Sequence, residues 1–454
     1  MSVIGCGYLG AVHAAAMASL GHDVVGIDVD EGKVADLTAG AAPFFEPGLA
    51  ELLEEGVRSG RLRFAADPAA AAGAEVHFLA VGTPQSASGP AADLRFVDAA
   101  IDGLLPHLRP GAVVAGKSTV PVGTAARLAR RIAETGATLA WNPEFLREGW
   151  AVHDTLRPDR LVVGAEDTRQ GVAAVDLLRR VYAAAIDAGA PFLVTDLATA
   201  ELVKGAANAF LATKISFINA MAEIAEAAGA DVTLLAEALG HDSRIGRRYL
   251  GSGIGFGGGC LPKDIRAFAA RAEELGRGEA VGFLHEVDAI NLRRRDRAVR
   301  LVVDALGGLV FGRRIAVLGA AFKPFSDDVR DSPALEVAVR LRGLGADVVV
   351  TDPAAIENAP RTASAARVRL VQGRGPAGRG CGRRRHGVGR VPPGAPSAAR
   401  RRARAGPHRD RRAELSGRRR LAGCRLDLPR DGATLRPRAR QTTLASCGTV
   451  ERPR

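Results

Sequence analysis

Gly5-Cys6-Gly7-Tyr8-Leu9-Gly10 constrains this chain more than any other stretch. It follows a short apolar run and opens an Ala-rich helical stretch, and Asp28 closes the next apolar run, 23 residues after Gly5. Strand, glycine turn, helix, second strand and acid in that order specify a parallel α/β unit. The first glycine permits a tight turn, the second lets a pyrophosphate approach the backbone at a helix N-terminus, and the third lets helix and strand pack closely. Asp28 would accept hydrogen bonds from an adenosine ribose, and an acid there favours NAD over a 2′-phosphorylated dinucleotide. Taken alone, the triplet also suits a glycine-rich turn of any α/β protein.

The first 165 residues keep this grammar, with β-rich runs at 2–4, 23–27, 76–81, 112–117 and 161–163 between amphipathic stretches. From 196 to 228 the pattern becomes one long helix without proline, a length that usually spans domains or packs against a second subunit. A second α/β unit opens with a strand at 314–319, a helix at 333–344 and a strand at 347–351. Chain length, 454 residues, is too great for one ordinary core. The expected division is an NAD-binding Rossmann domain at 1–190, a central helical dimerisation segment carrying a cysteine loop at 191–300, and the start of a C-terminal Rossmann-like domain at 301–366.

Beyond Ala366 there is no Phe, Trp, Tyr, Ile, Lys, Asn or Met. Residues 367–454 hold about 25 arginines and about 5 acids, near +20 of the formal +12, which leaves the body mildly acidic at about −8. Such a segment cannot build a core and is expected to be disordered. Dense arginine without Lys, Asn, Ile or Phe is also what a GC-rich gene yields out of register, so a frameshift near 355–370 is expected; resequencing the locus would test it. Nucleic acid is not an expected partner, because the segment offers no aromatics on which bases could stack. Five scattered cysteines suggest neither disulfides nor a zinc site, no histidine pair has ligand spacing, and no metal is expected. No apolar run is long enough to span a membrane, and a reducing, cytoplasmic location is expected.

Four further motifs carry polar chemistry. Lys117-Ser118-Thr119-Val120-Pro121 and Asn142-Pro143-Glu144-Phe145-Leu146-Arg147-Glu148 follow strand ends, where doubly wound sheets bind ligands. The bland alternative is that Ser118 and Thr119 cap a helix and both glutamates lie on a solvated face. Glu201, Lys204 and Asn208 share one face of the long helix, either as a solvent stripe or as donors aimed at one oxygen. In Gly257-Gly258-Gly259-Cys260-Leu261-Pro262-Lys263-Asp264, glycines deliver a thiol to a helix start, with Pro262 in the first turn. A helix dipole favours the thiolate there, which makes Cys260 a credible nucleophile.

Together with Phe45-Glu46-Pro47-Gly48-Leu49, Val81-Gly82-Thr83-Pro84, Phe322-Lys323 and the segment from Asp327 to Arg330, these motifs resemble the UDP-glucose/GDP-mannose dehydrogenase family from Gly5 to about Pro353. The resemblance implies two Rossmann-like domains joined by a helical segment through which subunits dimerise. It implies oxidation of a nucleotide sugar by two NAD in succession, UDP-glucose to UDP-glucuronate, with GDP-mannose or a UDP-N-acetyl-hexosamine as the alternative substrate. Cys260 would carry a thiohemiacetal and then a thioester. By the same resemblance Lys204 and Asn208 stabilise the oxyanion, Asp264 and Thr119 assist proton transfer, and Glu144 positions or activates hydrolysis. NAD contacts fall on Gly5, Gly7, Tyr8, Leu9, Gly10, Asp28, Lys33, Thr83, Thr119, Glu148, Lys263 and Arg330. Substrate contacts fall on Glu144, Phe145, Leu146, Lys204, Asn208, Tyr249, Gly257, Cys260 and Lys323, with Arg244 reaching across a dimer. Family members continue the second Rossmann domain with further strands, and the Arg-rich tail departs from that pattern. A catalytically impaired member is therefore the remaining alternative.

Overall fold

A computed structural model of the chain describes residues 1–361, 368–372 and 444–445. Its larger sheet contains β1 (Ser2–Ile4), β2 (Val24–Ile27), β3 (Leu62–Ala65), β4 (Val76–Leu79), β5 (Val113–Gly116), β6 (Thr138–Trp141), β7 (Leu161–Gly164) and β8 (Phe192–Thr195). They lie in the order β3-β2-β1-β4-β5-β6-β7-β8. Strands β3 to β6 are parallel, and β7 joins antiparallel to β6 before pairing parallel with β8. Every residue of β2, β4, β5 and β7 is buried, because helices cover both faces of the sheet. Chain order reverses between the adjacent strands β1 and β4, so a crevice opens at their carboxyl ends.

Helix α1 (Tyr8–Ser19) buries an unbroken run from Gly10 to Ala18. That burial accounts for its Ala-rich, leader-like composition, since a helix enclosed on all sides is apolar all round. The five expected strands are present, and β3, β6 and β8 are additions. Two of these escape an alternation search for a local reason: β3 carries the exposed Arg63, and β8 is a half-exposed strand at the sheet edge. The run at 76–81 ends as a strand at Leu79.

The long helix α2 (Leu197–Ala228) begins where Asp196 accepts the Thr199 N–H at 2.8 Å and ends at Gly229, φ +70°. Two helices lie against it, α3 (Leu261–Glu274) and α4 (Phe283–Ala305). A Cβ on Gly205 would meet the Phe268 ring at 2.6 Å, so α3 reaches α2 closely one residue from Lys204.

The second sheet holds β9 (Arg314–Leu318), β10 (Asp347–Asp352), β11 (Arg369–Gln372) and β12 (Leu444–Ala445), all parallel in the order β11-β10-β9-β12. That order repeats β3-β2-β1-β4. Helix α5 (Pro333–Gly343) packs on it through Leu335, Val337, Ala338 and Leu341. Strand grammar therefore continues past Ala366 into β11; the rest of the expected Arg-rich tail, apart from Leu444–Ala445, lies outside the described residues. Among the described residues no helix is long and apolar enough to cross a membrane.

Candidate active site

The glycine turn has the shape that a dinucleotide requires. Gly5 has φ +89°, its imagined Cβ would strike Val81 at 2.7 Å, and one on Gly10 would fall 1.7 Å from the Gly5 carbonyl. A Cβ on Gly7 would meet nothing within 4 Å. Two glycines thus serve close packing, and the third leaves open ground at the start of α1, where no side chain caps the helix. Asp28, buried, accepts the Cys6 N–H at 2.8 Å, the Asp30 N–H at 3.1 Å and Lys33 Nζ at 2.9 Å. Its carboxylate retains lone pairs for a ribose hydroxyl. Leu9 packs on the core below the turn. At the ends of β4 and β5, Thr83 Oγ1 donates to the Thr119 carbonyl at 2.8 Å.

Ser118 and Thr119 cap no helix. Ser118 Oγ donates to the Val81 carbonyl at 2.7 Å, and the following helix, Thr124–Ala133, is capped by Glu201 of α2, which accepts the Gly123 and Ala125 N–H groups at 2.7 and 2.6 Å. Glu201 thereby anchors α2 over the crevice. Three residues along, Lys204 is buried with Nζ 2.9 Å from Glu144 Oε1, so it is no part of a solvent stripe. Burial opposes its charge, but Glu144, Cys260 and Asp264 outweigh burial and raise its pKa. Glu144 uses its other oxygen to accept the Leu146 N–H at 2.7 Å. Asn208 Nδ2 donates to Asp264 Oδ2 at 2.6 Å, and Lys263 Nζ holds Asp264 Oδ1 at 2.5 Å.

Cys260 is the N-cap of α3. The residue is exposed, while neighbouring protein desolvates its thiol. Burial, then Asp264 and Glu144, pushes the thiol up to about 11 against the opposing pull of Lys204 and Lys263. The expected thiolate is therefore a thiol here; dipole and cations do not overcome desolvation. The glycines before it have a reason beyond loop freedom. Side chains on Gly257, Gly258 and Gly259 would collide at 2.1 Å with the Asp331 carbonyl, at 2.6 Å with the Phe322 ring and at 2.3 Å with Arg330 Cζ. Only bare backbone lets the C-terminal domain close on the cysteine loop. Arg295 of α4, almost fully buried, fastens that contact from below by donating to Asp331 Oδ1 at 2.9 Å and to the Phe256 carbonyl at 3.0 Å.

Glu148 stands at the same junction, with Arg330 Nη2 at 3.3 Å and Ser326 Oγ at 3.4 Å. Burial and the nearby Asp328 raise its pKa to about 7, against Arg330 and Lys323. Phe325 and Asp331, at the ends of the loop holding these partners, have φ of +61° and +47°, strained values for residues other than glycine. Among the expected substrate contacts, Phe145 lies 5.7 Å from Lys204 Nζ and under the Arg160 guanidinium, and Lys323 rests on Phe322 with its pKa lowered by burial. Tyr249 is half-buried at φ +66°. Arg244 is exposed and pairs with Asp242, 2.7 Å away, so the single chain does not bring it to the site. A cleft of about 80 Å³ lies between the segments that follow β4 and β5 and the first turn of α3, lined by Thr83, Thr119, Glu201, Lys263 and Asp264 among others.

Residues 1–186 match the NAD binding domain of the UDP-glucose/GDP-mannose dehydrogenase family, 198–293 its central domain and 316–374 its UDP binding domain. A UDP-glucose 6-dehydrogenase of Rhizobium meliloti (strain 1021) is 44% identical over 364 residues, 79% of this chain and 82% of the relative. The chain belongs to the UDP-glucose/GDP-mannose dehydrogenase family. Among solved structures, a UDP-glucose dehydrogenase of the archaeon Pyrobaculum islandicum is 45% identical with a TM-score of 0.76, covering 82% of this chain and 85% of that one. A UDP-D-ManNAc dehydrogenase of Pyrococcus horikoshii is 29% identical with a TM-score of 0.70, covering 78% and 84%. As in the family's NAD binding domain, the residues of the glycine turn fit NAD: open space over Gly7, an uncapped helix start and Asp28 beyond it.

Two residues of this family member's site were not legible in its sequence. Arg295 sits in an arginine-rich helix where nothing marks it as buried. Glu46 lies within the Phe45–Leu49 motif, but its partners are 38 and more than 100 residues away.

Glu148 also carries a pH signature. Its pKa is raised, so between its ordinary value of 4.5 and about 7 the folded state binds the extra proton, and stability falls as pH rises through that window. Glu148→Gln is expected to remove a slope worth about 1–3 kcal/mol. Denaturant melts at pH 5 and pH 8 check this, and equal slopes in the variant and the parent would reject the assignment.

Proposed function

We propose that this protein oxidises the C6 alcohol of UDP-glucose to the carboxylate of UDP-glucuronate. The observation that carries the reading is the grouping of Lys204, Asn208 and Asp264 around the helix start that bears Cys260, beside a dinucleotide crevice. Bound NAD supplies a hydride acceptor for each of two oxidations. Lys204, protonated, donates to the sugar C6 oxygen as the hydroxyl proton passes to the Asp264–Thr119 relay and the carbonyl forms, and Asn208 donates its second N–H. The resulting aldehyde carbon accepts Cys260 Sγ. Because the thiol starts protonated, its proton must leave as the S–C bond forms, and Asp264 with Thr119 is the relay. Oxidation of the thiohemiacetal leaves a thioester; water adds to its carbonyl carbon, the C–S bond breaks, and the thiol regains a proton. Glu144 holds Lys204 with one oxygen and accepts the Leu146 N–H with the other, which suits a role in positioning Lys204.

Two finer readings accompany this one. Leu202, Phe210, Phe217 and Ile224 recur every seven or eight residues along α2 and are all exposed, a stripe that suits a second copy of the chain. Arg244 would then serve the partner's site. A monomer by sedimentation would exclude the dimer. The compartment is read as the cytoplasm, where Cys260 stays reduced.

The test is NADH release with UDP-glucose, GDP-mannose and a UDP-N-acetyl-hexosamine in parallel. Two NADH per UDP-glucose is the expected result. Turnover with another nucleotide sugar alone overturns the substrate, and NAD binding without turnover on any of them overturns the activity.

A further inference from the structure

Glu46 is buried, and four donors from two distant segments converge on its carboxylate. Oε2 accepts the Tyr8 hydroxyl and the Gly149 N–H, the latter at 2.6 Å, and Oε1 accepts the Ala151 N–H at 2.7 Å and the Val152 N–H at 3.4 Å. Tyr8 is the first residue of α1, directly after the open ground over Gly7. Gly149 directly follows Glu148, and a Cβ there would strike the Phe325 carbonyl at 2.4 Å. Next to Glu46, the Phe45 N–H donates to Asp327 Oδ2 at 3.1 Å, and Asn358 holds that same oxygen at 3.0 Å. Phe44 stacks on Tyr8 with ring centroids 4.5 Å apart.

We propose that Glu46 is a positioning residue that ties the seat of the dinucleotide to the Glu144–Glu148 loop and, through Phe45, to the C-terminal domain. Residues 44–46 touch the cofactor helix, the loop carrying both glutamates and the loop carrying Arg330, and none of these three segments is adjacent to another in sequence. Fixing Tyr8 and Gly149 on one oxygen sets the distance between the pyrophosphate seat and Glu148. A carboxylate is required because every partner donates: an amide in its place would set an NH2 against the Gly149 N–H and force the Tyr8 hydroxyl to reverse. This inference rests on the NAD reading above.

Glu46→Gln and Tyr8→Phe test it, with NAD affinity followed by quenching of intrinsic fluorescence, alongside kcat, both KM values and Tm. Glu46→Gln is expected to weaken NAD binding and lower kcat by about ten-fold each, the worth of one charge-assisted hydrogen bond, while KM for the nucleotide sugar changes less than two-fold. Tyr8→Phe should move the same quantities in the same direction by a smaller factor, and the double variant should lose no more than Glu46→Gln alone. A purely structural Glu46 would lower Tm and leave NAD affinity and kcat unchanged in both variants, which overturns the proposal. Should Glu46→Gln fail to fold, Tyr8→Phe decides by the same readouts. A parent protein that does not bind NAD would instead reject the NAD reading itself.

Discussion

Replacing Cys260 by serine is expected to lower steady-state NADH production on the order of 10³-fold or more and to leave at most one NADH per site in a burst. Oxidation of the alcohol to the aldehyde needs no thiol, so the first hydride transfer survives. The second requires a covalent adduct whose oxidised form water can cleave, and a serine hydroxyl is both a poorer nucleophile and a poorer leaving group. Stability should move the other way. Cys260 occupies the N-cap of α3 without making a capping hydrogen bond, and serine is a better N-cap by about 0.5–1 kcal/mol. An equal or higher Tm with lost turnover separates chemistry from folding. Two NADH per sugar from Cys260→Ser would sink the covalent route.

The thiol's raised pKa bears on this experiment. At about 11 the group is protonated at neutral pH, so the parent's rate should carry the pH dependence of whichever group accepts that proton and not of a preformed thiolate. Proton removal is thereby confined to the moment of attack. A neutral thiol is also less open to oxidation than a thiolate, since the thiolate is the reactive form.

Features built on local spacing were legible in the sequence. The glycine turn with Asp28, the long helix and the helix start at Cys260 all follow from periodicity, glycine placement and caps within one stretch of chain. Lys204 and Asn208 were readable as one face, but whether that face met solvent or a site depends on α3, which arrives some 50 residues later and closes on Gly205. The capping alternative for Ser118 and Thr119 fails for the same kind of reason. The helix after them is capped from α2 by Glu201, a partner that no local pattern announces. Glu46 and Arg295 are the extreme cases, since a residue whose whole role is to join distant segments leaves no periodic trace. The glycines at 257–259 mark another limit: their run draws the eye to Cys260, but their cause is the close approach of Asp331, Phe322 and Arg330.

Lys204→Ala should have a comparably large effect, and three separate consequences can be distinguished. Removing the cation strips Glu144 of its ion-pair partner in a buried setting, which costs about 3–5 kcal/mol of stability. It removes a donor to the developing oxyanion, worth about 10²–10³ in kcat. It also deletes one of the two lysines that pull the Cys260 thiol down, so the thiol titrates higher still and attack on the aldehyde slows further. The combined expectation is a loss of about 10³-fold or more in kcat with a lowered Tm. Adding Glu144→Gln removes the stranded carboxylate, and the double variant should regain most of the lost stability without regaining activity. Recovery of both would mean that Lys204 acts only by neutralising Glu144. A kcat within ten-fold of the parent in Lys204→Ala would remove Lys204 from the reaction, and with it the grouping on which the proposed function rests.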